Sequence, residues 1–116
     1  APPDLKLQFE RCREFCRHMG IAHFGHGEYE ADDIIGTLHA RFRRQGHCTT
    51  VVTRDKDLAQ LIRDGDHYWD YAGERRFAYA DIEGQFGVRP ERFADYLALT
   101  GDSVDNIPGV PGIGPK

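Results

Sequence analysis

The sequence predicts an α/β fold, a parallel sheet with helices packed against it, and three observations point there. Segments with a helical apolar period alternate with short β-branched runs in the order helix, strand, helix, strand, helix, which calls for right-handed crossovers between parallel strands. The length of 116 residues suits one domain with a modest core. With 40% hydrophobic and 29% charged residues the composition is that of a soluble globular chain, and no apolar run nears the ~20 residues that span a bilayer. No signal peptide is recognisable at the start.

The first helix follows from Leu5, Phe9, Cys12, Cys16 and Met19, which alternate spacings of four and three, with Asp4 as N-cap and Gly20 as stop. Ile21 to Phe24 is a short strand candidate, followed by a His/Gly-rich turn. The second helix begins in "YEADDIIGTL" and carries Ile34, Ile35, Leu38 and Phe42 as a buried stripe up to Gly46. "CTTVVT", Cys48 to Thr53, reads as a buried strand, and "RDKDLAQLI" opens a third helix. His67 to Tyr71 and Arg76 to Tyr79, joined by "AGE", read as a strand and its hairpin partner. "DIEGQFGV" is a short helix ending at Gly87, and Pro90 opens the next, through about Leu99, with Phe93, Tyr96, Leu97 and Leu99 as its buried side. The Gly/Pro-dense end, "GDSVDNIPGVPGIGPK", is not expected to form a regular element.

The cysteines, Cys12, Cys16 and Cys48, are odd in number, and Cys12 and Cys16 share the apolar face of the first helix, so they read as buried thiols in a reducing cytoplasm. The net charge of −4 argues against a nucleic-acid partner only if the acids are evenly spread. They are not. Seven of the 19 acids fall in three clusters, and setting those aside leaves 12 acids against 15 Lys and Arg.

The clusters are Glu30, Asp32 and Asp33; Asp55 and Asp57 directly after the Val51–Val52 strand; and Asp102 and Asp105 after a helix. Acids are favoured at helix N-termini by ~0.3–1 kcal/mol each, which suits one or two of them. Crowded carboxylates repel unless a cation sits among them. Ligands of open α/β sheets bind beyond the carboxyl ends of strands, where the first two clusters would lie. Grouped carboxylates suit Mg²⁺ or Mn²⁺, and two such ions ~3.5–4 Å apart stabilise both the attacking and the leaving oxygen of a phosphodiester cleavage. Taken singly, Asp55 also reads as an N-cap, and Asp102 or Asp105 as turn residues bonding local N–H groups. One cation site accounts for all seven. In "GVPGIGPK", Gly109, Gly112 and Gly114 permit a close backbone approach and a concave anion site for a phosphate, with Lys116 as the neighbouring cation; the alternative is a plain Gly/Pro loop.

In this order and spacing, "EADDIIGTL", "DKDLAQLI" and "FGVRPERFADYLALTGDSVDNIPGVPGIGPK" resemble the 5′-3′ exonuclease and flap endonuclease family, closest to the exonuclease domain at the front of bacterial DNA polymerase I and its stand-alone relatives, from about Gly27 to Lys116. The resemblance implies a PIN-like core, with residues 1–86 its central part, and residues 87–116 as the start of a C-terminal helical hairpin, the helix-three-turn-helix DNA-binding module. It implies two Mg²⁺ or Mn²⁺ ions held by Glu30, Asp32, Asp33, Asp55, Asp57, Asp102 and Asp105, hydrolysis of DNA at 5′ ends and flaps in replication and repair, and a K⁺ at the glycine hairpin. DNA contacts carry over to Gly109, Gly112, Ile113, Gly114 and Lys116. The implied protein is a cytoplasmic, nucleoid-associated monomer, fused to or working with a DNA polymerase.

The family also has a first-strand Asp and a basic arch, and this chain is expected to be truncated at both ends, starting after both and stopping before the module's second helix, hence inactive alone. Arg54 stands where the family often has Gly before "DKD", and would compete with metal for the second cluster. The alternative reading is a non-catalytic DNA- and K⁺-binding module of a degenerate relative; a PIN-type ribonuclease gives no reason for the glycine hairpin. His23 and His26 have zinc-ligand chemistry but no matching pair, and read as turn residues; His18, His39, His47 and His67 read as surface or strand-edge residues. Arg41, Arg43 and Arg44 read as a solvated helix face, and Tyr68, Trp69 and Tyr71 as sheet packing.

Overall fold

The computed structural model describes residues 2–114, which divide into two units between Ile35 and Gly36. In the first, helix α1 spans Pro3–His18. Its N-cap is Pro2 rather than the expected Asp4, which sits instead in the first turn, where its charge favours the exposed N–H groups. The chain leaves α1 through Gly20 at φ 69°. Ile21 to Phe24 forms no strand: extended residues become one only when their backbone groups find a ladder partner. Within this unit the apolar face of α1 is uncovered. Leu7, Phe9, Phe15 and Met19 are exposed, and the expected buried thiols are corrected too, with Cys12 exposed and Cys16 half-buried.

Helix α2, Ala31–Arg44, keeps the expected start, but its buried side is rotated from the expected stripe. Ile34, Ile35 and Leu38 are half-buried and Phe42 is exposed, whereas His39 is the buried residue of the helix. Gly36 lets Leu61 approach, a Cβ there being in ordinary contact with Leu61 Cδ2.

The second unit holds a mixed sheet ordered β1 (Thr50–Val52), β2 (His67–Asp70), β3 (Arg75–Ala78). β1 and β2 are parallel, with Val51 opposite Tyr68, and β2 and β3 form the expected antiparallel hairpin, with Tyr68 opposite Phe77. Only Val51 of β1 is buried, and Cys48 is exposed, so the strand is one-faced rather than wholly buried. Between β1 and β2 the expected helix is a 3-10 helix, Lys56–Leu61. Helix α3, Tyr79–Phe86, ends as expected at Gly87, whose left-handed φ of 81° closes it. Pro90 opens a 3-10 turn, Pro90–Arg92, that runs into α4, Phe93–Thr100; Phe93 is buried, Tyr96 and Leu97 half-buried, and Leu99 exposed.

The core lies on one face of this sheet: Val51, Leu58, Ala59, Ile62, Tyr68, Ile82 and Phe93. Tyr68, Phe77, Phe86 and Phe93 form a chain of ring contacts with centroids 5.4–6.2 Å apart, the spacing aromatic pairs prefer. The Gly/Pro-dense end is more regular than expected, since β4 (Gly101–Asp102) pairs antiparallel with β5 (Ile107–Pro108).

Candidate metal centre

Two local devices bring acids together in the second unit. Where β1 ends, Asp55 caps the 3-10 helix: its N–H donates to Thr53 Oγ1 at 3.0 Å and its Oδ1 accepts the Asp57 N–H at 2.9 Å. That cap fixes Asp57 in the first turn. Where α4 ends, Gly101 turns the chain at φ 75° straight into β4, and Asp102 Oδ1 accepts the Val104 N–H at 2.8 Å. A Cβ on Gly101 would strike Gly109 N and Ile107 O, and one on Gly109 would strike the Thr100 backbone, so both glycines serve the close approach of this hairpin to the end of α4. Val110 N–H seals it by donating to Leu99 O at 2.8 Å.

The carboxylate oxygens of Asp57, Asp102 and Asp105 lie within 4.8 Å of one another. Asp102 is 8% exposed, Asp57 half-buried and Asp105 exposed. Asp57 Oδ1 is buried and, among the described residues, without a hydrogen-bond partner. Burial first, then the charges of Asp55, Asp102 and Asp105, hold the Asp57 carboxyl above its ordinary pKa, with Lys56 opposing. A buried oxygen lacking a donor, set among like charges, is what a hard cation with oxygen ligands completes.

The other candidates are placed as follows. Asp55 faces Asp57 as its cap and is not one of the converging oxygens. Glu30, Asp32 and Asp33 lie in the first unit, at the start of α2, and by themselves form no such group. There the Glu30 N–H donates to Asp33 Oδ2 at 3.1 Å, so Asp33 reaches back from the first turn as half of a capping box. Arg54 pairs with Asp70, its Nε lying 3.9 Å from Asp70 Oδ1. Gly112 turns at φ 80° with nothing near it, Ile113 N–H donates to Val110 O at 3.0 Å, and Gly114 is likewise open. Lys116 lies outside the described residues.

The sequence reading missed a second ionic centre. Asp66, 1% exposed, accepts from the Thr49 N–H at 2.8 Å and the Arg63 N–H at 3.1 Å, and its Oδ2 lies 2.7 Å from His39 Nε2. Burial alone would raise its pKa, but the Thr49 N–H, the His39 ring and the Arg63 N–H together hold it below the ordinary value. No local pattern announces a pair 27 positions apart. Asp70, also buried, accepts from Gly73 N–H at 2.9 Å and pairs with Arg75 at 3.2 Å, pinning the β2–β3 hairpin.

Residues 1–87 match the family described as 5′-3′ exonuclease, N-terminal resolvase-like domain, and residues 88–116 the 5′-3′ exonuclease, C-terminal SAM fold. The chain is 42% identical over 117 residues to DNA polymerase I of Rhizobium leguminosarum, covering 100% of this chain and 12% of that protein. It is 38% identical over 116 residues to the 5′-3′ exonuclease of Aquifex aeolicus (strain VF5), covering 100% of this chain and 40% of that one. A bacteriophage T5 5′-exonuclease mutant aligns with a TM-score of 0.79 at 26% identity, over 87% of this chain and 41% of its own. A bacteriophage T5 flap endonuclease, solved as a pseudo-enzyme–product complex with DNA and metal ions, aligns with the same TM-score of 0.79 and 26% identity, over 95% of this chain and 39% of its own.

Proposed function

The chain belongs to the 5′-3′ exonuclease family, and from that membership and its carboxylate geometry we propose that it is part of a structure-specific 5′ nuclease that hydrolyses DNA phosphodiesters at 5′ ends and flaps in replication and repair. The observation that carries this reading is the convergence of Asp57, Asp102 and Asp105, with one buried Asp57 oxygen lacking a hydrogen-bond partner among the described residues. These residues fit a divalent ion, Mg²⁺ or Mn²⁺, and Glu30, Asp32, Asp33 and Asp55 are proposed to complete the set for two. Bound there, such ions supply a nucleophilic water at neutral pH and charge stabilisation at the phosphate. Asp55 and Val104, through their hydrogen bonds, hold Asp57 and Asp102 in place before any ion arrives.

Residues 1–86 are then the central part of a PIN-like core and residues 87–116 the start of a helix-three-turn-helix module. The open backbone around Gly112 to Gly114, with Gly109 before it and Lys116 after it in sequence, is proposed to face duplex phosphates, and a K⁺ is proposed at the same hairpin. A polymerase is proposed as fused or working partner, a reading that the relatives named DNA polymerase I support, and the protein is proposed to be a cytoplasmic, nucleoid-associated monomer. The test is calorimetric. Mn²⁺ binds this chain, and Asp57→Asn with Asp102→Asn removes most of the binding; equal uptake by the double variant would sink the metal site.

A further inference from the structure

On the second unit, a groove of about 530 Å³ is lined by Arg43, Arg44 and Arg63 together with His39, Gly36, Ala40 and Leu61, none of them one of the converging carboxylates. We propose that this groove binds a phosphate ester, gripping the phosphate with the three guanidinium groups and seating its organic body on the apolar wall.

The arginines are held ready. Arg63 Nη1 donates to Gln60 O at 2.7 Å and Ile62 O at 2.9 Å, and Arg43 Nη1 donates to Asp64 O at 3.4 Å and lies 3.6 Å from Asp66 Oδ2. Each fixes one nitrogen of a five-donor fork on its own chain, which lowers the entropy cost of ordering the side chain around a ligand and leaves further N–H groups as donors. Arg44, at the end of α2, makes no ion pair among the described residues and is exposed.

The acids nearby offset part of this charge, Asp66 at Arg43 and Glu91 at Arg63, and leave Arg44 as the guanidinium without an ion pair among the described residues. Asp66 is buried and shares its oxygens among Thr49, His39 and Arg63, and Glu91, 3.8 Å from Arg63 Nε, accepts the Tyr79 hydroxyl at 2.5 Å. A bare inorganic anion fills little of such a volume, and sites for small organic ligands are of this size, part apolar with a few fixed polar groups. Planar forks suit phosphate oxygens in particular.

The phosphate ester has two possible sources, a nucleic-acid backbone or a free nucleotide, and neither depends on the metal reading. Amide NMR of the ¹⁵N-labelled chain titrated with inorganic phosphate, with a deoxynucleoside monophosphate and with a blunt DNA duplex separates them. Expected are shifts at Gly36, Ala40 and Arg63 with phosphate, tighter with the monophosphate, and weakened about fivefold by Arg44→Ala, as for one exposed charge-assisted hydrogen bond. The variant keeps the thermal midpoint and Mn²⁺ uptake of the parent chain. A duplex that moves the same amides and is displaced by phosphate assigns the groove to nucleic acid; a duplex that leaves them still while the monophosphate moves them assigns it to free nucleotide. Shifts reproduced by sodium chloride at equal ionic strength, or undiminished in Arg44→Ala, overturn the proposal.

Discussion

Asp57 and Asp66 are both acids shielded from water, yet their surroundings push them in opposite directions. Asp57 lies among other carboxylates with one oxygen unserved, and Asp66 is surrounded by donors. The first loses from its neighbours and the second gains. Asp57→Asn paired with Asp102→Asn is accordingly expected to weaken Mn²⁺ binding at least about tenfold while costing little stability, because the repulsion it relieves is unfavourable in the ion-free chain. Asp66→Asn is expected to cost ~2–4 kcal/mol, since it leaves buried donors facing an amide, and urea denaturation measures it. The pH dependence has a definite sign. A carboxyl whose folded pKa is lowered below 3.8 contributes stability above that value and loses it as pH falls through the folded pKa. Wild type therefore loses stability below pH 3.8 more steeply than Asp66→Asn, and matching slopes would remove Asp66 from the account. Spacing located the acids but did not sort them, because Asp33, Asp55 and Asp102 each spend an oxygen on a nearby N–H, a matter of local geometry.

Elements were legible where the signal was local. The periods of α1 and α2, the "AGE" hairpin and the Gly87 stop all depend on neighbours a few positions away. Burial was not, since it depends on what packs opposite: the buried side of α2 turned toward His39 because Asp66 awaits it, and Ile21 to Phe24 stayed irregular for want of a paired strand. The β4–β5 ladder was hidden because glycine and proline signal turns more strongly than strands. Its glycines now divide into two kinds. Gly109→Ala places a methyl on the Thr100 backbone and is expected to cost ~1–3 kcal/mol and to spread Asp102 and Asp105, lowering Mn²⁺ affinity. Gly112→Ala meets open space and is expected to cost only ~1 kcal/mol for its positive φ, leaving Mn²⁺ binding alone. Calorimetry on both variants checks the contrast. On the proposed hairpin reading, Gly112→Val and Gly114→Val weaken duplex binding equally across sequences, because backbone contacts carry no base information.

At the scale of the whole molecule, the chain spans 12% of the Rhizobium polymerase and 40% of the Aquifex exonuclease, so activity belongs to a comparison between this chain and its whole protein. Cleavage of a phosphodiester requires the attacking water and the leaving oxygen to be held together, and a gap in the ligand set or in the cations that place the substrate costs rate more than binding. Asp57, Asp102 and Asp105 converge within the second unit, and on the proposed function they are part of such a set, which a chain spanning this share of its relatives holds without the rest of their length. The 116-residue chain is therefore expected to leave a 5′-flap DNA uncut in Mg²⁺, and the whole protein to cut it. Asp102→Ala in the whole protein is expected to lower the cleavage rate about a thousandfold or more, because it removes the buried carboxylate of the trio, while flap binding, on the proposed reading a matter of the glycine hairpin, changes little. Single-turnover cleavage and equilibrium binding, measured on the same labelled flap, separate the two effects. A whole protein that binds flaps but never cuts them, in Mg²⁺ or Mn²⁺ at any concentration, would leave a DNA-binding module whose carboxylates serve the fold alone.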